Sequence, residues 1–423
     1  MEEWKTYKLE DLCKRICSGG TPKSTCEEFY GGTIPWLNTK EVNFNRIYET
    51  ESTITQTGYN NSSAKWVDAN SIIVAMYGNT AGKVALAKIP LTTNQACCNL
   101  TIDELKADYR YLFYYLLSQY DIIKSKANGA AQQNLNAQQI KDLLIPLPSL
   151  ETQRVISDIL TALDDKIELN NRINHNLEEQ AQALYKSWCV DFEPFKDGKF
   201  VESELGMIPE GWRVGRYNDI ISTTVSGDWG KEDLTGNYTH KVSCIRGCDF
   251  ADASHGLRGN IPERYILEKN YDNKRLLDKD IIVEISGGTP TVSTGRICMI
   301  SNKLLKKYNN DLVCTNFCKI IRPHKGYSSY IFYSWFDKYL QKVMFGYENG
   351  TSGIKNFQLS DFLEKEPVII PSLDAISRFA TIIDSYQIVI QMNGSENTKY
   401  TEIRDTLLPK LMSGELKINE IDC

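Results

Sequence analysis

The chain has 423 residues, enough for two or three domains with a substantial core, which excludes a peptide or a disulfide miniature. With 42% hydrophobic and 24% charged residues its composition is that of an ordinary globular protein, and no run approaches the roughly 18 apolar residues of a membrane span. A formal net charge of −6 argues against a non-specific coat on nucleic acid.

The opening Met1-Glu2-Glu3-Trp4-Lys5 lacks the basic-then-apolar layout of a secretory signal, so a cytoplasmic location and reduced thiols are expected for the twelve cysteines. Cys13/Cys17, Cys244/Cys248 and Cys314/Cys318 are each four apart, and no CxxC couple is present, so no metal site is expected. Residues 1–150 carry 15 basic and 15 acidic side chains, and 201–371 carry 22 and 21. The surplus acid therefore lies in 151–200, with 6 basic and 10 acidic residues, and in 372–423, with 5 and 8.

In chain order, a first globular segment is expected over 1–150. Within it Ser71–Tyr77 and Lys83–Lys88 read as strands and Tyr109–Lys124 as a helix. Next, over 151–190, comes a helix whose apolar positions fall alternately four and three apart: Ile156, Leu160, Leu163, Ile167, Asn170, Asn174, Leu177, Ala181, Leu184 and Trp188. Residues 191–211, with Glu193-Pro194, Asp197-Gly198 and Pro209-Glu210-Gly211, read as a linker. A second globular segment covers 212–371, with a strand at Asp280–Ile285 and a helix at Tyr327–Val343. A second periodic helix covers 372–415, and 416–423 is a tail.

The second half repeats the first. Trp4, Asp11, Ser18, Gly19 and Lys23 recur 208 positions on as Trp212, Asp219, Ser226, Gly227 and Lys231. Ile72-Ile73-Val74 returns as Ile281-Ile282-Val283, each running into a glycine turn, and Gly82-Lys83-Val84 returns as Gly295-Arg296-Ile297. Thr93-Asn94 matches Thr315-Asn316, and Pro148-Ser149-Leu150 matches Pro371-Ser372-Leu373. Moving the first helical set on by 223 gives Phe379, Ile383, Tyr386, Ile390, Asn393, Asn397, Tyr400, Arg404, Leu407 and Leu411, and only Ala181/Arg404 changes character.

Two helices sharing a phase, each with two central asparagines, are expected to pair, and Asn170, Asn174, Asn393 and Asn397 are expected to fix their register. The fold expected is α+β: two related mixed α/β lobes joined by two long antiparallel helices that form a coiled-coil spacer, with pseudo-twofold symmetry. Gly394 and Pro409 are unfavourable inside a helix, so fraying is expected toward the end of the second one.

Fragments that imitate catalytic motifs fail on spacing. Gly78-Asn79-Thr80-Ala81-Gly82-Lys83-Val84 has three residues between its glycines where a phosphate loop has four, and valine where magnesium needs Ser or Thr. It reads as a hairpin turn. Glu104-Leu105-Lys106 and Asp272-Asn273-Lys274 give half of a nuclease metal site, but the chain has no Pro-Asp dipeptide. No GxGxxG opens a helix, and the four histidines are scattered. No catalytic residue is assigned, and the chain is expected to bind rather than catalyse.

Ser18-Gly19-Gly20-Thr21-Pro22-Lys23 with Gly32-Thr33-Ile34-Pro35-Trp36, the glycine turn, the Ile-Pro-Leu-Pro-Ser-Leu-x-x-Gln run at 145–153, Leu184-Tyr185-Lys186-Ser187-Trp188 and the closing Leu407-Leu408-Pro409-Lys410-Leu411-Met412-Ser413-Gly414-Glu415 together resemble the specificity subunits of type I restriction–modification systems. The likeness covers nearly the whole chain. It departs in the second lobe, which has Val225-Ser226-Gly227-Asp228-Trp229-Gly230-Lys231 in place of the Gly-Gly-Thr-Pro form, and Cys244-Ile245-Arg246 near where Ile-Pro-Trp is expected.

The resemblance implies target-recognition lobes that each read half of a split, asymmetric sequence in double-stranded DNA. It also implies two modification (methyltransferase) subunits bringing S-adenosylmethionine, and restriction/translocase subunits bringing ATP and Mg. No cofactor is expected on this chain. Lys23, Lys231, Lys83 and Arg296 are candidate phosphate contacts, because both copies keep a cation there. Lys40, Asn43, Asn45 and Arg46 in the first lobe, and Arg246, Arg258 and Arg264 in the second, are candidate base readers, Arg suiting guanine and Asn adenine. The alternatives are a coiled-coil scaffold that does not meet DNA, or a specificity subunit of a related restriction–modification class.

Overall fold

A computed structural model describes residues 4–127, 134–257, 259–289, 291–309, 311–350 and 354–416. The chain divides into two compact units. One comprises residues up to Asp165 together with those from Thr401 onward, and the other is the intervening Lys166–Tyr400.

In the first unit a five-stranded sheet has the order Cys13–Ser18, Cys97–Ile102, Ile72–Ala75, Val84–Ala87, Asn45–Ile47. Its central strands are buried on both faces, as Ile72–Ala75 and Val84–Ala87 show no exposed residue. A second sheet has the order Ser52–Ile54, Tyr30–Leu37, Leu91–Thr93, Trp66–Val67. The helix Tyr109–Ser118, capped by the Asp108 carboxylate, packs Tyr111, Leu112 and Phe113 into the core. The strand Lys5–Lys8 pairs antiparallel with Leu144–Leu147.

The second unit repeats this plan. A four-stranded sheet has the order Ile221–Ser226, Cys318–Pro323, Ile281–Glu284, Ile297–Met299, which is the first sheet without its last strand. Glu263–Leu267, Tyr238–Ile245 and Leu312–Cys314 form the second sheet. Arg213–Arg216 pairs with Pro367–Ile370 as Lys5–Lys8 does with Leu144–Leu147. The missing Ile-Pro-Trp element has a structural counterpart: Tyr30–Leu37 and Tyr238–Ile245 show the same alternation of exposure, position by position. Each also makes a parallel pair with the strand leading into the Thr-Asn step, Trp36 opposite Thr92 and Cys244 opposite Val313. Residues 191–211 are folded, with Phe200–Ser203 and Gly206–Pro209 forming a hairpin and Ile208, Trp212 and Ala375 a small core beside Phe192 and Phe195.

Two long helices complete the units. Leu150–Tyr185 has 36 residues, about 54 Å at 1.5 Å per residue, and runs on into a π turn at Lys186–Val190. Leu373–Ser413 has 41 residues. In the first unit Ile156 and Leu160 share a core with Leu408, Leu411 and Met412. In the second, Ala181 and Tyr185 share one with Phe379 and Ile383. As residue numbers rise on one helix they fall on the other, so the pairing is antiparallel within each unit.

The expected fraying is not seen. The second helix continues through Pro409 to Ser413, because Leu408, Leu411 and Met412 around the proline are all at most 4% exposed and burial offsets the lost hydrogen bond.

Candidate nucleic-acid interface

The repeated Ser-Gly turn is built by backbone crowding. Gly19 N–H donates to the Cys97 carbonyl and Gly20 N–H to that of Thr93, and a Cβ on Gly19 would lie 2.1 Å from the Thr93 oxygen. In the second lobe Gly227 N–H donates to the Cys318 carbonyl, and its Cβ would lie 2.1 Å from the Thr315 oxygen. Only glycine lets the two backbones approach this closely. The Trp36 indole N–H donates to the Gly20 carbonyl at 2.9 Å and closes the first turn.

These turns present the repeated lysines. Lys23 is exposed, and among the described residues its ammonium makes no ion pair. Lys231 is exposed too, its backbone bridging Tyr265 and its Nζ 5.8 Å from the centre of the Tyr238 ring. Lys83 donates to Asn43 Oδ1 at 2.7 Å and stands 5.6 Å from the centre of the Phe44 ring. Asn43 N–H in turn donates to Asn45 Oδ1 at 2.9 Å. The structure thus gathers Lys83, Asn43 and Asn45 into one cluster, with both asparagines exposed. Lys40 is exposed and paired with Glu51 at 2.5 Å, a contact that solvent screens.

The arginines behave differently. Arg46, expected to read a base, has a side chain only 8% exposed, which meets Asp165 at 2.5 Å and Asp164 at 3.9 Å on the first long helix. Asp164 also accepts from the Tyr114 hydroxyl at 2.6 Å and from Arg404 at 2.9 Å. Arg46 thus links the lobe to the first long helix, where Asp165 is 60% exposed and Asp164 is held also by Arg404 and Tyr114. Arg404, the one departure in the helical repeat, is the cation that balances this acid cluster.

In the second lobe Arg264, also expected as a reader, lies over the Trp229 ring, 3.9 Å from its centre, with its side chain 14% exposed. Arg246 grips Asp249 through Nε and Nη2, both at 2.9 Å, and closes its own turn. Arg296, expected on a phosphate, forks onto Glu284 at 2.7 and 2.8 Å, and that hydrogen bonding raises its pKa above the ordinary arginine value. Arg246 and Arg296 keep 37% and 42% of their side chains exposed while making these pairs, and Arg264 Nε is buried with no hydrogen-bond partner among the described residues. Arg258 lies outside the described residues.

The helix asparagines are brought together. Asn170 Nδ2 donates to Asn397 Oδ1 at 2.9 Å, and Asn393 Nδ2 to Asn174 Oδ1 at 2.8 Å. Asn397 Nδ2 donates onward to Asn171 at 2.8 Å, a partner the periodicity missed because Asn171 lies one step off the apolar stripe. Asn170, Asn174 and Asn397 are 6%, 3% and 3% exposed. Among the described residues no group of three or more His, Cys, Asp or Glu side chains is arranged to hold a metal, and no helix is long and apolar enough to cross a membrane.

The model of the type I restriction modification DNA specificity domain matches residues 1–179. The type I restriction enzyme MjaIX specificity subunit of Methanocaldococcus jannaschii is 28% identical over 99% of this chain and 95% of its own. The HindI specificity subunit of Haemophilus influenzae is 25% identical over 98% of this chain and all of its own. A crystal structure of a type I restriction–modification S subunit from M. genitalium shares the fold, with a TM-score of 0.55 at 18% identity over 97% of this chain and 96% of that one. The domain match covers the first lobe and most of the first long helix, and these relatives align with the chain from end to end, so the chain is similar along its length to the specificity subunits of type I restriction–modification systems.

Proposed function

We propose that this chain selects the DNA sites at which a type I restriction–modification complex acts, each lobe reading one half of a split target, while catalysis resides on partner subunits. The observation that carries the reading is the duplication itself: the two lobes share the order of the strands they have in common, and Tyr30–Leu37 and Tyr238–Ile245 share a burial pattern, yet the residues at their exposed positions differ. A shared scaffold with divergent surfaces suits two different half-sites, hence an asymmetric target.

In this reading Lys23 and Lys231 hold phosphates at equivalent places in the two lobes, and the Lys83, Asn43 and Asn45 cluster faces base edges in the first. Lobes of nearly balanced charge make few phosphate contacts, so discrimination rests on base edges more than on bulk attraction. The acidic helices repel a duplex and suit protein partners: two modification subunits supplying S-adenosylmethionine, and restriction/translocase subunits supplying ATP-driven movement and cleavage with Mg. The chain itself makes or breaks no covalent bond, and the cytoplasm is its place of work.

Sequencing methylated adenines in DNA treated with the chain and its modification partner tests this. A single split motif, changed in one half only when residues 212–371 are exchanged for another lobe, is the expected result. Methylation that ignores such an exchange defeats the reading.

A further inference from the structure

Gly394 sits in the middle of the second long helix, where glycine costs about 1 kcal/mol relative to alanine. Its surroundings explain it. The second lobe presents the end of the short helix Phe250–Ser254 and the turn His255–Gly256 that follows it, and the His255 carbonyl oxygen lies so close to the long helix that a Cβ on Gly394 would stand 1.7 Å from it. Gly256, at φ +69°, faces back, its own Cβ position 2.8 Å from Gln391 Oε1. Two glycines thus meet across one contact.

Gln391, one helical turn before Gly394, is 3% exposed, and its amide is fully committed to the lobe. Nε2 donates to the Ser254 carbonyl at 2.7 Å and to that of Ala253 at 3.2 Å, and Oε1 accepts from the Ser301 hydroxyl at 3.0 Å. On the flank His255 Nε2 meets Glu178 of the first long helix at 2.9 Å, and Lys307 Nζ donates to the Gly256 carbonyl at 2.9 Å. The turn is therefore gripped by both helices and by its own lobe. The positions 223 earlier are Glu168 and Asn171, and the first lobe is fastened instead through Arg46, Tyr114 and Asp164. The seat is particular to the second lobe.

We propose that Gln391 and Gly394 are positioning residues that set the angle of the second lobe on the helix pair, and through it the number of base pairs tolerated between the two half-sites. This rests on the split-target reading above. A backbone carbonyl cannot yield as a flexible side chain does, so a methyl group at Gly394 must lift the turn off the helix. One base pair of duplex is only about 3.4 Å of rise, so a small tilt at the seat, carried across the lobe, is enough to change which gap fits.

The test uses the full chain assembled with its modification partner, acting on a DNA library in which the native half-sites are separated by gaps of varied length. The wild type is expected to methylate one gap. Gly394→Ala, and Gln391→Met, which keeps volume but removes three hydrogen bonds, are expected to lose about tenfold at that gap, comparable to a modest duplex-deformation cost, and to gain at gaps one base pair longer or shorter with both half-sites unchanged. Because Gln391→Met introduces no clash, it reports even if Gly394→Ala fails to fold. Both proteins keeping the native gap at the wild-type rate, or changing the bases read while the gap stays fixed, overturns the proposal and leaves the split-target reading intact. A wild type that methylates no split motif overturns both.

Discussion

Asn170 and Asn397, 227 positions apart in sequence, share a hydrogen bond of 2.9 Å in the buried seam between the long helices. Asn397 also donates to Asn171, so it serves two residues of the partner helix. Replacing Asn397 with leucine leaves the buried Asn170 with only the longer 3.3 Å bond to Glu396, while the exposed Asn171 turns to solvent; it is expected to cost about 1–3 kcal/mol, whereas replacing Asn170 and Asn397 together by leucine recovers much of the loss. Urea unfolding of the single and double variants checks this. Additive losses contradict a paired role.

Arg46 is expected to act on stability and not on sequence choice. Arg46→Met removes a pair with the exposed Asp165 and a 3.9 Å contact with Asp164, which keeps Arg404 and Tyr114, and is expected to cost about 1 kcal/mol. The first-lobe half-site is expected to keep its bases. A changed motif in the methylated sites would restore Arg46 to the readers.

The crowded glycines give a matched pair of tests. Gly19→Ala and Gly227→Ala each place a methyl 2.1 Å from a backbone oxygen, so each is expected to weaken recognition of its own half-site while the other half-site binds normally. Binding to DNA carrying one intact half-site at a time distinguishes the two. Equal loss on both half-sites is the contrary outcome.

His255 carries a pH signature. Its hydrogen bond to Glu178, with the nearby charge of Asp252, raises its pKa above the ordinary 6.5. A raised histidine pKa stabilises the fold fully below the unfolded value and loses that contribution as pH climbs through the folded one. The difference in urea midpoint between wild type and His255→Gln is therefore expected to be largest near pH 5–6 and to close above neutrality, roughly where histidine titrates. A difference that is constant with pH contradicts the pairing.

Thiol reactivity reports the cores. Burial pushes the thiols of Cys98 and Cys244 up to about 12 and that of Cys298 up to about 11, while Cys248 is exposed. Iodoacetamide is expected to modify Cys248 early and these three only on unfolding, which mass spectrometry of timed samples reads directly.

Much of the architecture was legible because duplication shows itself wherever backbone geometry is demanding. Ser-Gly, the glycine turn and Pro-Ser-Leu recur since only a few residues fit those places. The asparagine pairs were legible for a related reason, a polar residue on an apolar stripe needing a partner. The strand Tyr238–Ile245 was not, because burial alternation survives substitutions that erase Ile-Pro-Trp.

The ion pairs of the arginines were hidden for a different cause. Periodicity tells which way a side chain faces along its own element and nothing of a carboxylate 119 positions away, as Asp165 is from Arg46. Gly394 looked like a weakness for the same reason. The turn that requires it belongs to residues 255–256, and nothing local announces the contact.

The first unit's core contains Leu408, Leu411 and Met412, from the far end of the chain, beside Ile156 and Leu160. During synthesis a nascent chain that has emerged only as far as the second lobe therefore has an apolar strip on its first helix with nothing to cover it. Most of that core lies between Leu9 and Leu160 and can gather early, in the usual N-terminal-first order, but its last three members arrive only with the end of the second long helix.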